Sequence, residues 1–296
     1  MKRIAIILLC ALVVLSSCSK SEDDNTVRIA TKPMTEQYIL GEMLGLLVED
    51  AGYTPVITKG IGGGTSNIQP AMEKGDFDLY PEYTSSGWIL VLGHEAKELP
   101  DDELFVQLDK EYQEKYGMRW LGLYGFNNTY TVAVRGEIAR EHGLEKTSDL
   151  AAIAPSLTFG GNPDYLERAD GYPALCDTYG LDFGDVRDID IGLKYTALQN
   201  GDIDVTNAYT TDAQLANPSV DAVVLADDLA LQVNYFCSTV VREDALERCP
   251  VLEEALMKMD GLITDSEMAH MNYLVEVEGQ DEKVVAKAFL EEKGII

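Results

Sequence analysis

"GDFDLYPEYT" at residues 75–84 and "GDIDVTNAYT" at 201–210 share Gly, two Asp, Tyr and Thr at identical spacing. What precedes each copy is also alike. "TVRIATKP" (26–33) has strand character, and Thr35 can cap a helix whose apolar positions Ile39, Leu40, Met43, Leu44 and Leu47 follow helical spacing up to Gly52. "TPVITKG" (54–60) alternates as a second strand, the glycines of "GIGGGTSN" (60–67) make a turn, and residues 68–74 form a short helix stopped by Gly75. The strand "FDLY" and Tyr83 follow. The order returns from Leu157: strand-like "SLTFGG" (156–161), Pro163 in the place of Pro33, a helix carrying "YLERAD" (165–170), the short helix "YTALQNGD" (195–202), then "IDVTNAYTT". Strands alternating with helices predict parallel sheets flanked by helices, here as two similar α/β lobes. In open α/β sheets the ligand sits beyond the carboxyl ends of the strands. Two facing lobes would point Tyr83 and Tyr209 into one cleft.

The N-terminus reads as a targeting segment. Lys2 and Arg3 precede an apolar run over 4–15, too short to span a bilayer, and "LSSC" ends it with small residues before Cys18. The expectation is a lipoprotein signal over 1–17, lipidation at Cys18, and a polar tether over 18–25 with too little apolar character to pack. Without residues 1–17, 279 of the 296 residues remain, enough for two lobes with substantial cores. Losing Lys2 and Arg3 takes the basic residues from 23 to 21 against 51 acidic ones, a net charge of −30. That balance excludes nucleic acid and anionic lipid as partners and favours solubility or a cationic ligand.

Nothing in the pattern reads as catalytic. His94, His142 and His270 are scattered, with no His-Glu-x-x-His pair, serine elbow or Cys-His pairing, and no cofactor is implied. Cys176, Cys237 and Cys249 are odd in number and lack metal-site spacing, although a Cys237–Cys249 disulfide stays open. The glycine run at 60–64 lacks both a Gly-Lys-Ser/Thr ending and a G-x-G-x-x-G pattern, so it reads as a tight turn. Trp88 and Trp120 read as core or lobe-surface residues rather than ligand contacts. An envelope hydrolase would have to use Asp76 and Asp78, which strand alternation points to opposite faces.

"TKPMTEQYIL" (31–40), "YPEYTSS" (80–86), "GNPDYLERADGYPAL" (161–175), "NAYTTD" (207–212) and "VVRED" (240–244) together resemble the substrate-binding proteins of ABC importers for quaternary ammonium solutes such as glycine betaine, choline, carnitine and proline betaine. The resemblance implies an α/β periplasmic-binding-protein fold of type II, two lobes joined by two crossovers with the ligand between them. Lobe I would comprise 26–127 plus 236–296 and lobe II 128–235. It implies an extracytoplasmic, lipid-anchored receptor at the cell envelope that hands its ligand to an ABC permease. By position, Tyr83, Tyr130, Tyr209 and Tyr235 would box the trimethylammonium head, and Lys32, Arg168 and Ser86 would hold a carboxylate, with Gln37 and Asn128 as further polar contacts.

Chemistry gives the box its reason. A quaternary ammonium has no N–H donor, so hydrogen bonds cannot recognise it, whereas aromatic faces attract it at roughly 2 kcal/mol or more per desolvated contact. A receptor for another small amine or amino acid on the same fold is the alternative, because fold alone does not fix ligand. A carboxylate site built on Lys32, Arg168 and Ser86 would favour betaines over choline. The chain departs from relatives in "EYTSS" for "EYTGT", in Asn128 where some relatives are acidic, and in "QVNY" for "PPY" before Tyr235.

Overall fold

The computed structural model of the protein describes residues 25–96, 100–167, 171–190 and 192–296. The signal segment, Cys18 and Arg168 therefore lie outside the described residues.

Lobe-forming units follow the chain closely. Strand β1 (Thr26–Ala30) leads to helix α1 (Thr35–Asp50), β2 (Thr54–Thr58), α2 (Thr65–Lys74) and β3 (Leu79–Tyr83). Thr35 is the first helical residue of α1 rather than its cap, which is Met34 without a side-chain hydrogen bond. Gly75 ends α2 in the left-handed region at φ 81°, as expected of a glycine stop. A π-helical turn (Ser86–Val91), α3 (Asp101–Tyr116) and β4 (Met118–Asn127) complete this run. The chain then enters the second half through β5 (Tyr130–Arg135) and α4 (Gly136–His142). Next come β6 (Thr158–Gly161), α5 (Pro163–Glu167), α6 (Tyr172–Tyr179), β7 (Asp185–Asp188), α7 (Lys194–Asn200), β8 (Val205–Tyr209) and β9 (Ala222–Leu225). It returns through β10 (Phe236–Arg242) and finishes with helices α8 (Glu243–Arg248), α9 (Leu252–Met257), α10 (Asp265–Glu276) and α11 (Glu282–Glu292).

The described strands form two five-stranded sheets with matching order, β2-β1-β3-β10-β4 and β7-β6-β8-β5-β9. Neither is purely parallel. β10 runs antiparallel between β3 and β4, and β5 runs antiparallel between β8 and β9. Each odd strand is the one the chain enters on crossing from the other sheet, so its direction follows from the crossover and no local strand-helix pattern encodes it.

The duplicated motif has a structural half. Asp78 is buried, accepts the Arg28 N–H at 2.7 Å and pairs with Arg28 and Arg248; Asp204 accepts the Thr158 N–H at 2.9 Å and pairs with Arg135. Each aspartate thus ties the entry of one parallel strand to the sheet. Burial by itself would raise the Asp78 pKa, but the Arg28 and Arg248 contacts outweigh it and hold the carboxyl below its ordinary value. Gly75 and Gly201 lie against Arg242 and Arg135, where a Cβ would meet a guanidinium. Asp78 is therefore a sheet-pinning residue, and Asp76 is exposed.

The cores are separate for the two sheets. One gathers Ile39, Leu40, Leu44, Phe126, Val241 and Leu256 under α1; the other gathers Val134, Phe159, Tyr165, Leu175 and Val205. Trp88 and Trp120 are buried against Tyr112 and Leu108 on the opposite face of the first sheet, as their sequence reading expects. Cys237 and Cys249 are buried and unbridged. No helix among the described residues is long and apolar enough to cross a membrane.

A candidate ligand-binding cleft

A cavity of about 520 Å³ opens where the strand ends of the two sheets face each other. Tyr83 closes β3 and Tyr209 closes β8, each as the last residue of its strand. Both line the cavity, with Tyr130 and Tyr235. Tyr130 stands there because β5 pairs it directly opposite Tyr209. Such cross-strand neighbours have touching side chains: the rings stack with centroids 4.7 Å apart and the Tyr209 hydroxyl donates to that of Tyr130 at 3.0 Å. Opposite Tyr83 the same register places Cys237, so the two halves of the aromatic wall are not copies.

Tyr235 is set by the two connections between the sheets. Its N–H donates to Asn127 Oδ1 at 2.7 Å, its carbonyl accepts from the Asn128 N–H at 3.2 Å, and Asn127 Nδ2 donates to Asn234 Oδ1 at 2.7 Å. The Ser85 hydroxyl donates to the Asn234 carbonyl at 2.5 Å. Two departures from the family pattern, Ser85 and Asn234, are thus bonded to each other. The backbone here is held by the Ser85 hydroxyl on the Asn234 carbonyl and by Asn127 Oδ1 on the Tyr235 N–H, where a proline would restrain it through its fixed φ.

Each strand-end tyrosine carries a lysine and an acid. Glu82, fully buried, accepts from Lys32 Nζ, from the Tyr83 N–H at 2.7 Å and from Thr65 Oγ1 at 2.8 Å. Lys32 Nζ lies 4.6 Å from the centre of the Tyr83 ring. In the other half Asp212 accepts from Lys194 Nζ at 2.8 Å, from the Tyr195 hydroxyl at 2.7 Å and from the Tyr209 N–H at 3.1 Å, and Lys194 Nζ lies 6.0 Å from the Tyr209 ring centre. The repeat escapes a sequence reading because the acid precedes the tyrosine in one copy and follows it in the other.

Of the residues expected to hold a carboxylate, Ser86 lines the cavity at the start of the π-helical turn. Lys32 lines it too, but its charge is matched by Glu82. Gln37 does not reach the cavity: it is buried behind it, and its Oε1 accepts the Lys32 N–H at 3.3 Å. Asn128 lines the cavity and donates to Glu36 Oε1 at 2.9 Å.

Glu36 is the residue the sequence conceals. It sits in the first turn of α1, 4% exposed, and lines the cavity. Its Oε1 accepts from the Tyr83 hydroxyl at 2.5 Å, and Oε2 lies 3.5 Å from Asn272 Nδ2 on α10. Burial raises its pKa, opposed by hydrogen bonds from Tyr83, Thr211, Asn128 and Asn272. An acid in a first helical turn ordinarily reads as a solvated charge favoured by the helix dipole, and only the tertiary packing of α10 and Asn128 buries this one. The Asn272 amide also donates to the Thr211 carbonyl at 2.9 Å, bridging α10 to the segment after β8.

Comparison with known proteins agrees with this architecture. Residues 25–292 match the family described as the substrate binding domain of ABC-type glycine betaine transport system. The chain is 38% identical over 273 residues to the ergothioneine transport permease/ergothioneine binding protein EgtU of Helicobacter pylori (strain G27), covering 92% of this chain and 48% of that longer protein. It is 32% identical over 294 residues to the carnitine transport binding protein OpuCC of Listeria monocytogenes serotype 1/2a (strain 10403S), covering 97% and 94% of the two chains. A crystal structure of a glycine betaine/carnitine/choline ABC transporter protein superposes with a TM-score of 0.85 at 31% identity, covering 91% of this chain and 99% of the other. With two lobes, two matching sheets and an interlobe cavity walled by tyrosines, the chain belongs to the family of substrate-binding domains of ABC-type glycine betaine transport systems.

Proposed function

We propose that the chain is a lipid-anchored extracytoplasmic receptor that captures glycine betaine or a related quaternary ammonium solute and delivers it to an ABC permease. It works as the substrate-binding component of an ABC transporter and not as an enzyme, in line with relatives named as transport binding proteins. Lobe I spans 26–127 plus 236–296 and lobe II spans 128–235, the anchor is the lipidated Cys18, and Tyr83, Tyr130, Tyr209 and Tyr235 form the cage.

The observation that carries this reading is the convergence of those four tyrosines, from both sheets and from the second connection, on one cavity with a buried carboxylate. Aromatic faces beside an anion suit a cation that lacks N–H donors. Arg168 and Ser86 are the groups proposed for a ligand carboxylate, Lys32 being matched by Glu82.

Calorimetric titration with choline, glycine betaine, carnitine and ergothioneine, with proline as a control, tests the reading. Ergothioneine belongs in the set because a 38% identical relative is named for it and because it too carries a trimethylammonium group. Saturable binding of at least one trimethylammonium compound, with proline much weaker, is the expected result. Binding of proline alone, or of none, overturns it.

A further inference from the structure

Glu36 lines the cavity with neutral donors around it: the Tyr83 hydroxyl, Asn128 and Asn272. Among the described residues no cation pairs with it, and Lys32, across the Tyr83 ring, is matched by Glu82. Beside it Asn272 Oδ1 is buried with no hydrogen-bond partner. A carboxylate enclosed without a countercharge is unfavourable unless something entering the site brings one.

Resting on the quaternary ammonium reading above, we propose that Glu36 is a specificity-determining residue that serves as the ligand's countercharge, so that the cleft selects for positive charge in addition to the shape its tyrosines impose. The aromatic wall by itself distinguishes a trimethylammonium head from a tert-butyl group only through cation–π attraction. Glu36, itself 4% exposed, adds a full charge on a buried side chain, where the same separation is worth more than in bulk water. The Tyr83 hydroxyl joins the two devices, because donating to an anion makes that ring more electron-rich and a better partner for a cation. A zwitterion gains less than a pure cation, since its own carboxylate is repelled by the same group.

The test titrates the full chain and its Glu36→Gln and Glu36→Asp variants with choline, its uncharged isostere 3,3-dimethyl-1-butanol, and glycine betaine. The parent should bind choline at least about tenfold tighter than the isostere. Glu36→Gln should weaken choline about tenfold or more, glycine betaine less, and the isostere hardly at all, as expected for loss of one partner of a buried charge pair. Glu36→Asp keeps the charge and should keep the choline-to-isostere ratio even if all affinities fall, which separates charge from folding. Unchanged choline affinity in Glu36→Gln, or equal losses for all three ligands, overturns the inference while leaving the receptor reading standing. A parent that binds neither choline nor its isostere overturns the inference, and one that binds no trimethylammonium compound at all, carnitine and ergothioneine included, overturns both.

Discussion

The Tyr83 hydroxyl donates a 2.5 Å hydrogen bond to Oε1 of Glu36, joining the last residue of one strand to the first turn of the helix that packs over it. The bond fixes the ring that walls the cavity and, with those from Thr211, Asn128 and Asn272, satisfies a buried acid. Burial and the neighbouring Glu36 charge push the Tyr83 pKa well above its ordinary value, so the hydroxyl stays a donor. Tyr83 is in consequence part of a buried polar network, whereas Tyr209 is bonded through its hydroxyl to Tyr130 in a more open place.

That asymmetry separates two phenylalanine variants. Tyr83→Phe strips a donor from a buried carboxylate and should lower unfolding free energy by about 1–3 kcal/mol. Tyr209→Phe removes a hydroxyl that shares a partly buried bond and should change stability by less than about 1 kcal/mol. Denaturant titration of both reads the difference, and equal losses would show that the Glu36 contact contributes nothing special.

Alanine at the same places removes the aromatic face itself. Tyr209→Ala should weaken binding of a trimethylammonium ligand about 30-fold, from roughly 2 kcal/mol per desolvated contact. It also leaves Tyr130 without its stacked neighbour, so the loss at Tyr209 should exceed that of Tyr235→Ala. Calorimetry that finds parent-like affinity in Tyr209→Ala would make the stacked pair structural.

Lys32 and Glu82 should behave as one buried pair. Lys32→Met leaves Glu82 buried without its countercharge and should cost about 3–5 kcal/mol of stability, while the double variant Lys32→Met with Glu82→Gln should recover most of it. Independent, additive losses in unfolding measurements would refute the coupling. If Lys32 instead served mainly as a ligand contact, Lys32→Met would lower betaine affinity with little effect on folding.

How much of this was legible in the sequence depends on how local the cause is. The helix of Thr35–Asp50 and the stop at Gly75 follow from apolar spacing and glycine chemistry, which act over a few residues, whereas the strand read at "FDLY" lies instead at Leu79–Tyr83 and takes Tyr83 in as its last residue. Helix α6 (Tyr172–Tyr179) has no sequence signal to match the two elements that flank it, and α2 begins at Thr65, three residues before its apolar run. The direction of β5 and β10 could not be read, because it is set by the crossovers. Glu36 was invisible for the same reason: its burial depends on Asn128 and Asn272, which are 92 and 236 residues away along the chain. The four tyrosines that line the cavity are singled out in the sequence only through the repeat and the family resemblance, since a single tyrosine carries no local mark of a ligand site.

The raised pKa of Glu36 gives the last prediction, and its sign is opposite to the usual carboxylate case. Burial raises the folded value, against the hydrogen bonds of Tyr83, Thr211, Asn128 and Asn272, whereas the unfolded chain titrates near the ordinary glutamate value of about 4.3. Between these two values the folded state holds more protons than the unfolded state, so stability from this group is fully present below the unfolded pKa and is lost as pH rises through the folded one. The groups facing Glu36 do not cancel this. Lys32 across the Tyr83 ring is matched by Glu82, Cys237 opposite Tyr83 on β10 is pushed well above its ordinary value and stays neutral, Asp212 in the cavity lining is matched by Lys194, and Glu276 there is an acid that offers no countercharge. The melting temperature of the ligand-free parent should therefore fall relative to Glu36→Gln as pH rises above the ordinary glutamate value of about 4.3. Saturating choline should reverse the trend, because a cation stabilises the ionised carboxylate and binds better as the proton leaves. A parent-to-variant difference in melting temperature that is the same at every pH above that value, with and without choline, would mean that Glu36 does not titrate as a buried acid.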